Sequence, residues 1–347
     1  MRIKKIFILM LLISFASFVS AQKGHFGFDT ITRGTEYSFP VFHSPADSIV
    51  EIKINVFLQL FELQLLADKD ETNLFKELRI TDDSIVFGAT SLIFEVIENS
   101  DKILSVAVSK EWCGASCNHW TAYYNFNSGN GDMMSIYDFI EKDKINIAIS
   151  VINGKRTFNF LNQLKNLNSE QAIDTTAVFN EIDNSNLDFF YFRNDSLFIS
   201  DEECLSKFEK AYYDLNMITG FSTAELKPYL NEYGKTVLSI SKKDISKFSG
   251  NKFPQLYKGK TNDSIEFYFT FDFYYDFNGS GFIAMEKERT IHSFDGRFEN
   301  NNFDLTEHDN NYYDVGFIKA ALVNGKIIGS YKSVNGKINY TFSATKM

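Results

Sequence analysis

Within the run EWCGASCNHW, residues 111–120, stand two cysteines, a histidine and two tryptophans: Trp112, Cys113, Cys117, His119 and Trp120. Three chemistries use such residues. A thiolate beside an imidazole can act as a nucleophile. Two thiolates and an imidazole can supply three of the four donors that zinc requires, with Cys204 as a fourth. Two cysteines separated by three residues can also join as a disulfide, and Gly114 tolerates the backbone angles that a small ring demands.

The spacing argues against the first two. Cysteine proteases carry C-G-[SA]-C followed by an aromatic residue near the mature N-terminus, with the histidine far downstream. Here an extra residue separates the cysteines, Asn118 follows the second, and the later histidines, His292 and His308, fall in a separate segment. C-x₃-C-x-H is not a usual finger spacing either, and an oxidising compartment favours S–S over metal. We therefore expect no catalytic residue, no metal and no cofactor here. A Cys113–Cys117 disulfide with Cys204 free is the favoured pairing, and Cys204 with either loop cysteine is its competitor. Trp112, His119, Trp120 and Tyr123 are then the candidate binding residues, because rigid aromatic rings on a stiff loop lose little entropy on contact.

The compartment is read from the first 21 residues. Arg2, Lys4 and Lys5 precede an apolar run over residues 6–15 and a small residue at Ala21, the layout of a secretory signal peptide. The apolar run is too short to span a bilayer, and no later one approaches the length needed, so no stable membrane insertion is expected. The expected localisation is periplasmic or extracellular. The 347-residue chain carries a formal charge of −10, and loss of the basic leader makes it more acidic. Such a surface repels phosphate backbones, which excludes nucleic acid as a partner and favours a neutral glycan or a cationic protein.

Composition and periodicity describe an α+β chain of two parts, residues 22–250 and 255–347. In the first, 22–48 reads as an extended lead-in. INVFLQLFELQLL, 54–66, reads as an amphipathic helix with Asn55, Gln59 and Glu62 on its polar side. Strands are expected at 91–98, 103–110 and 119–127, helices through about 183, and short strands at 188–200. Ser222 and Glu225 have capping-box spacing, with Gly234 as the expected helix stop. Gly, Asn and Pro cluster over 248–260. Beyond them IEFYFTFDFYYDF alternates as a strand with one buried side, or with a bulge that turns a corner. The pairs Asn278-Gly279, Asp295-Gly296, Asn324-Gly325 and Asn335-Gly336 supply tight-turn chemistry for a small antiparallel barrel.

The order GASCNHW, then YYNFNSGNGDMMSIYDFI, then LKPYLNEYGKTVL resembles a domain of unknown function. That domain occurs in the ectodomains of RsiV-type anti-sigma factors and in the non-catalytic part of some peptidoglycan deacetylases. Gly114, Ala115 and His119, residues 123–126, Gly129 and residues 137–140 carry the resemblance, which spans about 45–245. His119 departs from the pattern by standing four residues after Ala115. The tail resembles an avidin-like or lipocalin-like barrel of Bacteroidetes-type secreted proteins, around GSGF, LTEHD and GSYKS. The resemblance implies an envelope-facing, non-catalytic domain, in some relatives a receptor for a muramidase.

The functional expectation is therefore an exported binding protein that recognises an envelope glycan, a peptidoglycan fragment or a basic protein. The alternative is a hydrolase of envelope polymers whose carboxylates the sequence does not single out, and a third reading makes the barrel a spacer. The acidic stretch 298–314 lacks EF-hand spacing and reads as solvated turns.

Overall fold

The computed structural model describes residues 25–347, apart from 46, 68–73, 76–77, 83–84, 115, 166–172, 185–186, 213–214, 251–253, 276, 288–289 and 309–312. The leader at 1–21 and Ala115 lie outside the described residues. The protein is α+β: a mixed sheet with packed helices, a small three-stranded sheet, and a closed antiparallel barrel.

The mixed sheet contains β1 (Gly27–Arg33), β2 (Tyr37–His43), β3 (Arg79–Asp82), β4 (Ile85–Asn99), β5 (Ile103–Cys113) and β6 (Cys117–Asn127). Its order is β1-β2-β4-β5-β6 with β3 on β4, antiparallel except where β2 meets β4 at Tyr37↔Leu92. The segment expected as a lead-in is thus the β1–β2 hairpin.

One sheet face packs on helix α1 (Ser48–Leu58), capped by the Asp47 side chain and continued by a π-helical turn over Gln59–Leu63. This helix begins earlier than its periodicity suggests, and its polar side is not solvated. Gln59 and Glu62 are buried. Asn55 caps the β2 backbone at Phe42, accepting from its amide and donating to its carbonyl. Gln59 Oε1 accepts from the Ala67 amide at 3.0 Å. Glu62 meets Lys110 at 2.7 Å and the Tyr124 hydroxyl. The helix is buried between sheet and barrel, so its polar residues satisfy groups inside.

Helices α2 (Ile145–Lys165) and α3 (Thr175–Asn184) precede the sheet of β7 (Phe190–Arg193), β8 (Ser196–Ser200) and β9 (Ile218–Phe221), with α4 (Lys207–Tyr212) between β8 and β9. Arg156 of α2 is buried against Asp201, its Nε donating at 2.8 Å, and it also donates to Asn153 and the Ile182 carbonyl. The Ser222/Glu225 capping box forms. Gly234 does not end that helix. It lies within a second one, Glu232–Val237, where a Cβ would come within 2.5 Å of the Phe139 carbonyl. Close approach is its role.

The barrel runs β10 (Tyr257–Thr261), β11 (Glu266–Tyr275), β12 (Asn278–Met285), β13 (Ile291–Glu299), β14 (Asn302–His308), β15 (Asp314–Val323), β16 (Lys326–Ser333) and β17 (Asn339–Lys346), closing β17 on β10. Phe267, Phe269, Phe271, Phe294, Phe303 and Phe342 fill it. The long alternating run is β11, with a bulge between Phe273 and Tyr275. Asn324-Gly325 makes a two-residue turn with positive φ at both positions. Asn278-Gly279 and Asp295-Gly296 are strand residues instead. Gly279 leaves room for the Phe271 ring, and the turn after β13 is Asn300-Asn301. Tyr268 and Phe282 on the barrel's outer side pack with Val56 and Leu60 of the helix. No helix among the described residues is long and apolar enough to cross a membrane.

Candidate functional site

The β5–β6 hairpin positions every residue singled out in the cysteine run. Its register pairs Lys110 with Trp120, Glu111 with His119, Trp112 with Asn118 and, at the tip, Cys113 with Cys117. The two cysteines form a disulfide with Cα atoms 4.0 Å apart. Cys204 is free and half-buried, its thiol pushed up to about 12, chiefly by burial with Asp201 adding to it. A thiol so reluctant to ionise is a poor nucleophile.

Directly paired residues share a face, and neighbours along a strand alternate. Trp112 and Trp120 therefore stand on one face of the hairpin, with Val108, Ala122 and Tyr124 further along that same face against the helix. Trp112 is 41% exposed at its end. His119 and Tyr123 stand on the other face, so the four candidate binding residues do not converge. His119 is exposed and its Nε2 is 3.0 Å from Glu111 Oε1. Tyr123 is half-buried, stacked on Tyr191. Burial pushes its hydroxyl up to about 12, against the pull of a hydrogen bond with Ser200.

This second face is covered over only part of its length. Toward the barrel end, Ser105 donates to Asn125 Oδ1 at 2.6 Å and the Asn125 amide donates to the Phe190 carbonyl at 2.7 Å, joining the two sheets. Between the upper part of β4–β6 and a wall of residues from 202–210 with Leu215 lies an open groove of about 1100 Å³. Ser91, Ile93, Ser109, His119 and Thr121 form its sheet side. Glu202, Glu203, Leu205, Lys207, Lys210 and Leu215 form the opposite wall, and Trp120 borders it. Ser109 and Thr121 share a hydroxyl–hydroxyl bond of 2.8 Å, and Lys210 is 3.1 Å from Glu203. Hydroxyls, apolar side chains, the lysines Lys110, Lys207 and Lys210 and the carboxylates of Glu202 and Glu203 thus line one opening.

Sequence reasoning missed the wall 202–215, because its partners lie some ninety residues earlier in the chain. It also missed two carboxyl groups. Burial raises Asp188, just before β7, to about 7, and the Asp272 carboxylate adds to it. The Asp188 side chain is nevertheless exposed. Burial raises Asp272 of β11 to about 6, against one amide donor, Phe273. No local pattern marks either residue. A metal-donor cluster also lies at the hairpin tip: Glu111, Cys113 and Cys117 offer donor atoms within 4.8 Å of one another.

No known family profile matches the chain, and no curated protein is significantly similar to it. The chain is similar in structure to a member of the DUF3298 family from Bacteroides fragilis. That likeness has a TM-score of 0.44 at 11% sequence identity and covers 63% of this chain and 99% of that one.

Proposed function

We propose that this is an exported, non-catalytic binding protein of the bacterial envelope, and that the groove between β4–β6 and residues 202–215 holds a glycan strand or peptidoglycan fragment. The groove itself is the observation that carries the reading. Sugar recognition combines hydroxyl hydrogen bonding with contact to apolar ring faces, and here Ser91, Ser109 and Thr121 alternate with Ile93, Leu205 and Leu215. Lys207 and Lys210 suit the carboxylates of a stem peptide. The net charge of −10 also favours encounter with a cationic protein such as a muramidase, through rate more than through affinity.

The test is calorimetric titration of muramidase-released peptidoglycan fragments into the mature protein and into a Lys207→Glu, Lys210→Glu variant. Saturable binding weakened about tenfold or more in the variant supports the reading. No heat with the wild type, or equal affinity in both, overturns it.

A second reading, hydrolysis of envelope polymers, is favoured by Asp188 and Asp272, since a carboxyl held near neutral pH is suited to general-acid work. Release of reducing ends that disappears in Asp188→Asn would establish it in place of the first.

A further inference from the structure

Two adjacent cross-strand pairs place four metal donors on one face of the hairpin tip. Cys113 is opposite Cys117 and Glu111 is opposite His119, while the members of each strand are two residues apart and point the same way. The Glu111 carboxylate and both sulfurs lie within 4.8 Å of one another, and His119 Nε2 is 3.0 Å from Glu111 Oε1. Thr90, which falls at the register shift of β4 between Ala89 and Ser91, donates to Glu111 Oε2 at 2.6 Å. Such an outer contact is what orients a ligating carboxylate.

Two thiolates, an imidazole and a carboxylate form a set suited to tetrahedral zinc. The disulfide withholds the sulfurs, but a ring with a sequence separation of 4 constrains little chain entropy, and Cys117 borders the open groove where a reductant can reach it. We infer that the hairpin tip is a redox-gated zinc site. A dithiol transfers two electrons and two protons to the Cys113–Cys117 bond and is itself oxidised to a disulfide. Zinc then binds both sulfurs, His119 and Glu111 as the two thiol protons pass to solvent. Cys204 takes no part, because it packs in a separate cluster with Phe160 and Leu205.

The test titrates cobalt(II) into the full mature chain, kept reduced by a phosphine. The site predicts a thiolate-to-cobalt charge-transfer band with visible bands of tetrahedral intensity, all displaced by zinc and all missing from the oxidised protein. His119→Ala and Glu111→Gln should each weaken cobalt binding by about tenfold or more, while Cys204→Ser leaves it unchanged. Circular dichroism of each variant checks that the fold persists. No charge-transfer band in the reduced chain, or affinity unmoved by both His119→Ala and Glu111→Gln, overturns the site. His119 and Cys117 also border the groove, but failure of the peptidoglycan titration would leave the site standing, since cobalt binding to the reduced chain is read without any glycan.

Discussion

Tyr123 of β6 stacks on Tyr191 of β7, ring centroids 5.1 Å apart and planes 24° apart, and Tyr191 stacks in turn on Phe198 at 5.1 Å. This column pins the small sheet to the large one where the covered part of the sheet face gives way to the groove. Tyr191→Ala should lower stability by about 2–4 kcal/mol, through lost ring contacts and the space left behind. Tyr123→Phe, which keeps the stack and loses the hydroxyl, should lower it by about 1 kcal/mol. Urea unfolding of the two variants measures both, and the reverse order would contradict the column's role.

The opposite orientation of the hairpin's two faces separates residues that adjoin in sequence. Thr121→Trp fills the groove and should weaken binding of peptidoglycan fragments about tenfold or more, whereas Trp112→Ala, on the far face, should leave it unchanged. Fluorescence or calorimetric titration of both variants distinguishes them. Loss of binding in Trp112→Ala alone would move the site to the other face.

Asp272 makes stability fall as pH rises. Its folded value, about 6, lies above that of an unfolded chain, so the native state holds a proton that the denatured state releases. Its contribution is complete below about pH 4 and is lost as pH rises through 6. Asp272→Asn should therefore stabilise the protein on the order of 2 kcal/mol at pH 8 and have little effect at pH 4. Denaturant titrations at the two pH values test this, and an equal effect at both would contradict it.

A buried charge network fastens the end of the chain to the first part of the protein. Lys53 of α1 is buried, bonds Asp132 and donates to the Met347 carbonyl at 2.9 Å, while Lys346 meets Asp132 at 2.8 Å. Burial would raise the Asp132 carboxyl, but Lys53 and Lys346 outweigh it and hold it below the usual range. Asp132→Ala leaves Lys53 buried without its counter-ion and should cost about 3–5 kcal/mol. Thermal unfolding monitored separately in the barrel and in the helices reads the loss, and a variant as stable as wild type would contradict it.

Legibility followed the length of the pattern. The alternation that starts at Ile265 announces the strand β11, because a period of two held that long marks a strand with one buried side; it breaks at the bulge between Phe273 and Tyr275, and Phe277 lies exposed beyond the strand. The disulfide was legible from Gly114 and the spacing. Gln59 and Glu62 were misjudged because a helix buried on both sides can keep polar residues wherever they find partners. Asp295-Gly296 was misjudged because Gly296 lies inside β13, where a Cβ would come within 2.3 Å of the Asp304 carbonyl, and only the neighbouring strand reveals that close approach. The groove was illegible for a different reason. Its walls, Thr121 and Leu205 among them, come together through tertiary pairing that no local window contains.

The most direct measurement is amide hydrogen exchange of residues 22–347 with and without saturating peptidoglycan fragments. A ligand held in the groove slows exchange at residues 117–121 and 202–215 and leaves the barrel unchanged. Slowing confined to the barrel, or to the segments around Asp188 and Asp272, would contradict that placement.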